Sequence, residues 1–103
     1  MDRINKLQEM LAQSPGDSFL QHALALEFIK QGDDLRARQY FEELLEANPQ
    51  YIGSYYHLAK LLERSGDTSA AIQTYEKGME QAKAVQDQHA FNELRGAWEE
   101  LTF

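Results

Sequence analysis

Apolar residues recur along this chain at helical spacing, as at Leu24 and Phe28 and again at Leu58 and Leu62. No segment shows the period-two alternation of a half-buried strand. The pattern breaks at a few places, and each break has a physical reason. Gly32 and Gly66 each follow an amphipathic stretch, where glycine can take the left-handed conformation that closes a helix. Asp33 and Asp67 come next, and their carboxylates can cap the helix that follows. Pro15 and Pro49 stop one unit and turn the chain into the next. These breaks predict helices at about 2–13, 18–31, 34–47, 51–65, 68–84 and 87–101.

The breaks share a period. Pro15 and Pro49 are 34 positions apart, and so are Gly32 and Gly66. The same offset relates Leu24 to Leu58, Ala25 to Ala59, Ala37 to Ala71 and Phe41 to Tyr75. So many coincidences at one offset mark an internal repeat. The alanines let two helices approach closely, and Phe41 and Tyr75 fill the space beside them.

These residues resemble the tetratricopeptide repeat pattern of small residues, aromatics, glycine and proline. Residues 18–51 match with Leu24, Ala25, Phe28, Gly32, Ala37, Phe41 and Pro49. Residues 52–85 match with Tyr55, Leu58, Ala59, Leu62, Gly66, Ala71, Tyr75 and Gly78. Three positions depart: Gln21 replaces an aromatic, Leu44 a small residue and Lys83 a proline. The last departure predicts a longer fifth helix. Residues 2–15 resemble the second helix of a preceding repeat, and 87–101 a first helix that closes the stack. The resemblance implies one all-α domain over residues 1–103, a solenoid of antiparallel helix pairs wound as a superhelix, with about six helices. The start at Met1 and the closing helix predict either a complete small protein or a domain cut at natural limits.

Composition narrows the function classes. The chain has 103 residues, enough for one domain with its own core. It has no cysteine, so a disulfide framework and a thiolate zinc site are excluded. The net charge of -7, with scattered basic residues, argues against nucleic acid and anionic membranes. No run is long and apolar enough for a membrane span, and the charged start is not that of a signal peptide. A soluble cytoplasmic protein is expected. There is no G-x-S-x-G elbow and no glycine-rich phosphate loop, and the carboxylates fall on predicted solvent faces or caps. Neither catalysis nor a cofactor or metal is expected.

The resemblance also implies where function sits. In this family the first helices of successive repeats line a concave groove that holds a peptide or partner segment. The groove-facing positions here are Phe19, His22, Leu26, Ile29 and Lys30, then Tyr56, His57, Lys60 and Arg64, with Phe91 from the closing helix. Ala23, Gly53, Glu63, Leu94 and Arg95 are expected beside them. The apolar members would form an exposed strip, or Phe19, Leu26 and Ile29 pack against neighbouring helices; Lys30, Lys60 and Arg64 would form a cationic group suited to an acidic segment or a C-terminal carboxylate, or serve the dipoles of the helix C-termini they lie near. The histidines add hydrogen bonding and a charge that switches near neutral pH. Some family members clamp chaperone tails with lysine and asparagine; His22, Leu26 and His57 stand at those places, so that clamp is absent. The expected role is a protein-interaction scaffold. The alternative is a homo-oligomerisation module, such as a homodimer, with the groove or the C-terminal helix covered by another copy. Trp98 is expected either as a core anchor or, with Leu101 and Phe103, as a dimer contact.

Overall fold

The computed structural model describes residues 2–103. Six helices follow one another: α1 (Arg3–Gln13), α2 (Ser18–Lys30), α3 (Asp34–Ala47), α4 (Gly53–Arg64), α5 (Thr68–Ala84) and α6 (Gln88–Thr102). No strand occurs among the described residues. Among these helices none is long and apolar enough to cross a membrane. The chain forms two compact units, one running through Asn48 and one from Pro49 to Phe103. In the first, α2 packs against α1 and α3; in the second, α5 packs against α4 and α6.

Helix ends obey one local rule three times. Gly32 and Gly66 take positive φ, +80° and +86°, as their place after a helix predicts. Gln86 does the same at φ 61°. At each, the next amide reaches back to the last turn: Asp33 N–H to the Phe28 carbonyl, Asp67 to Leu62 and Asp87 to Ala82. Each aspartate then accepts a hydrogen bond from the amide three residues on, at 3.1 Å. One residue closes a helix and the next opens another. The α5–α6 turn therefore copies the Gly-Asp turns without a glycine. Asp2 and Asp17 cap α1 and α2 in the same way. Each such cap contributes about 1 kcal/mol.

α4 alone lacks a side-chain cap. Its entry is fixed instead by the Tyr55 hydroxyl, which donates to the Pro49 carbonyl at 2.6 Å. Gln21 occupies the equivalent place in the first unit, and its amide donates to the Pro15 carbonyl at 3.4 Å. The missing aromatic is thus replaced by a longer bond to the same kind of acceptor. The missing proline at Lys83 has the expected effect: α5 runs on to Ala84 and is the longest helix described.

In the core, Leu24, Ala25, Ala37, Phe41 and Leu44 are fully buried in the first unit; Ala59, Ala71, Tyr75 and Ala82 are fully buried in the second. Burying a large side chain contributes about 1.5–3 kcal/mol, and the alanines set how closely the helices approach. Gly78 shows how tight this is. A Cβ there would stand 2.7 Å from the Tyr55 Cβ and 3.1 Å from a Leu94 methyl. The first unit carries Gln21 and Leu44 at the corresponding positions. A ring opposes a glycine in one unit; a slimmer side chain goes with a leucine in the other.

Two glycines inside helices should therefore respond oppositely to alanine. Alanine favours a helix interior by about 1 kcal/mol over glycine. Gly96→Ala, where a Cβ meets nothing within 4 Å, should raise the urea midpoint. Gly78→Ala should lower it, because overpacking costs about 1–3 kcal/mol and the obstructing Tyr55 Cβ is tied to the backbone.

Candidate functional site

α4 brings four of the expected residues onto one face of the second unit. Tyr56, His57, Lys60 and Arg64 lie at helical spacing. The Tyr56 and His57 rings meet edge-on at 5.9 Å. The Lys60 ammonium sits 5.6 Å from the Tyr56 ring centroid. It also lies 3.7 Å from the Glu63 Oε2. That same oxygen accepts a hydrogen bond from the buried Tyr75 hydroxyl. Tyr75 is a core residue, so the core holds Glu63, and Glu63 stands beside Lys60. Burial and the Glu63 carboxylate push the Tyr75 phenol well above its ordinary pKa.

His57 is half-buried. Its burial, helped by the Arg64 charge, lowers its pKa below the usual 6.5, while Glu93 on α6 opposes the shift. The imidazole is thus neutral at neutral pH, and its switch lies on the acid side of the range expected from sequence.

α2 carries the corresponding residues of the first unit, and the structure separates them by exposure. Phe19 is 65% exposed and Lys30 is exposed, whereas His22, Leu26 and Ile29 are half-buried. The His22 ring turns edge-on to the buried Phe41 at 5.7 Å. Lys30 lies 3.7 Å from Glu27, whose carboxylate also takes the Arg3 Nε at 3.1 Å. The cations of both faces are therefore partly answered by carboxylates of their own unit. A pair open to solvent on at least one side is worth about 0–1 kcal/mol, little enough for a ligand carboxylate to displace.

Two residues expected on these faces belong to the core: Ala23 and Leu94 are buried. Phe91 lines a cleft at the α5–α6 turn with Ala82, Lys83 and Gln86. Trp98 is not a sealed core anchor. It is half-exposed; its indole N–H donates to Glu76 on α5 at 3.1 Å, and its ring meets Phe103 edge-on at 5.7 Å. The buried side of α6 is Leu94 and Ala97. Among the described residues no group of three or more acidic, histidine or cysteine side chains could hold a metal ion.

Repeated helix pairs, joined by short capped turns and packed through small residues, define a helical repeat protein. The comparisons say which kind. A family model for the tetratricopeptide repeat matches residues 28–94, and the chain belongs to that family. The solution NMR structure of a tetratricopeptide repeat domain protein from Salinibacter ruber is similar at 44% identity and a TM-score of 0.81, covering 84% of this chain and 88% of that one. A crystal structure of a tetratricopeptide repeat domain protein from the same organism is similar at 43% identity and a TM-score of 0.79, covering 84% and 96%. A solution structure of a protein from Bordetella parapertussis shares 25% identity at a TM-score of 0.84, covering 99% and 89%. No curated protein matches the chain. Members of the family generally mediate protein–protein interaction as non-catalytic scaffolds.

The shifted histidine gives a pH test. In the unfolded chain an imidazole titrates near 6.5, and in the folded chain His57 titrates lower. Above about 6.5 both states leave it neutral and it adds no pH dependence. As pH falls below that value the unfolded state takes the proton first, so folded stability drops. His57→Gln removes that component. Urea unfolding at about pH 7 and pH 5 should therefore show a smaller acid loss in the variant than in the parent.

Proposed function

We propose that this protein is a non-catalytic scaffold that binds a peptide or partner segment on its first-helix faces. The α4 face of the second unit is the principal contact. The observation that carries this reading is the cluster of Tyr56, His57, Lys60 and Arg64, which combines aromatic rings with two cations on one helix. Tyrosine and arginine are among the residue types that concentrate binding energy at interfaces. On the α2 face, Phe19 and Lys30 are exposed beside the half-buried Leu26 and Ile29, a similar mixture. An acidic segment or a C-terminal carboxylate suits both faces, provided it outcompetes Glu27 and Glu63 for the lysines. The proposed setting is the cytoplasm, with no cofactor, nucleic acid or membrane involved. The net charge of -7 supports the last two points.

A second reading is homo-oligomerisation. Phe103 is 90% exposed beside the half-exposed Trp98, which is apolar surface that another copy could cover. Light scattering at high protein concentration separates the two: a persistent monomer removes the second reading.

The first is tested by affinity capture from the source cell, comparing the parent with a variant carrying Tyr56→Ala and Lys60→Glu. The variant should stay helical by circular dichroism and recover at least about tenfold less partner. Undiminished capture by a folded variant would sink the α4 face as the contact.

A further inference from the structure

We infer that the cleft between α1 and α3 in the first unit is a separate docking surface, one that takes an extended peptide carrying an apolar side chain next to a lysine or arginine. Two adjoining hollows share Gln8, Tyr40 and Glu43 as walls, and so form one continuous cleft. α1 supplies Gln8 on one side, and α3 supplies Tyr40 and Glu43 on the other. None of these residues belongs to the faces proposed above.

The two ends of the cleft differ. Leu11, Ala12 and Pro15 line one end, with Gln21 beside them. Phe28, Arg36 and Gln39 line the other. The Tyr40 ring stacks on the buried Phe28, with centroids 5.7 Å apart and planes 15° apart, which fixes it as a rigid wall. Arg36 is already engaged: its guanidinium lies 5.7 Å from the Phe28 ring centroid and 3.6 Å from the Asp33 carboxylate.

Gln21, beside Pro15, already donates to the Pro15 carbonyl at 3.4 Å, and the other polar groups of the walls have no such partners among the described residues. Gln8, Gln39, the Tyr40 hydroxyl and the Glu43 carboxylate make no hydrogen bond or ion pair among the described residues. Their chemistry specifies the occupant. An extended peptide brings carbonyls and amides that are not paired within itself, and the two glutamine amides and the phenol can answer both. The apolar end accepts an apolar side chain. Charge fixes the neighbouring residue as a cation. Glu43 lines both hollows with Glu46 one turn further along α3, Arg36 lines only the far one and has the Asp33 carboxylate 3.6 Å away, and the whole chain carries -7.

The test is an NMR titration of the full chain with two blocked tetrapeptides, acetyl-Gly-Leu-Lys-Gly-amide and acetyl-Gly-Leu-Glu-Gly-amide. The lysine peptide should shift the side-chain amides of Gln8 and Gln39 saturably. The glutamate peptide should bind at least about tenfold more weakly, and so should the lysine peptide with a Glu43→Lys variant whose remaining spectrum is unchanged. No saturable shift at about 10 mM peptide overturns the proposal, as does equal binding of both peptides. Shifts confined to α4 overturn it as well. The α4 reading is untouched by these outcomes, since its own test uses variants outside this cleft.

Discussion

The left-handed residue between paired helices is the constraint on which the rest depends. At Gly32, Gly66 and Gln86 the backbone turns through positive φ, and the aspartate that follows caps the next helix. This short turn returns the chain beside the helix it has just left, because three residues are too few to carry it elsewhere. The buried alanines then set the approach, and Phe41 and Tyr75 fill the remaining space. The faces on α2 and α4 follow from this. A helix can offer only the side that its packing neighbours leave uncovered.

Much of the fold was legible in the sequence because the turns are local. Glycine, aspartate and proline act within a few residues, so their spacing alone places six helices within a residue or two of their observed ends. The α5–α6 turn was harder to read. It has the same geometry but carries Gln86, which gives no glycine signal. The departures at Gln21 and Leu44 look like defects in a linear pattern. In three dimensions they correspond to Tyr55 and Gly78, where a Cβ would come within 2.7 Å of the tyrosine. A pattern read one position at a time cannot show that these two positions face each other in the second unit.

The candidate site was legible in its members and less so in their states. Helical spacing alone puts Tyr56, His57, Lys60 and Arg64 together. It does not show that Lys60 has Glu63 beside it, or that Tyr75 holds Glu63 from the core, since these contacts join different turns and different helices. Nor could it tell that Ala23 and Leu94 face inward, because one rotation of a helix by a single position exchanges core for surface. The α1–α3 cleft left no mark in the sequence at all. Its residues come from three helices and a turn, and most of them stand outside the repeated positions.

Backbone handedness at the turns sets the pairing of the helices. Urea unfolding of Gln86→Gly and Gly66→Ala measures this directly. A Cβ at position 66 meets nothing within 4 Å, so its cost is conformational alone. Relief of a left-handed non-glycine residue is worth about 1–2 kcal/mol, less about 0.5–1 kcal/mol for the added freedom of glycine in the unfolded chain. Gln86→Gly should raise stability and Gly66→Ala should lower it, each by up to about 1.5 kcal/mol. Two variants indistinguishable from the parent would contradict this role of the turns.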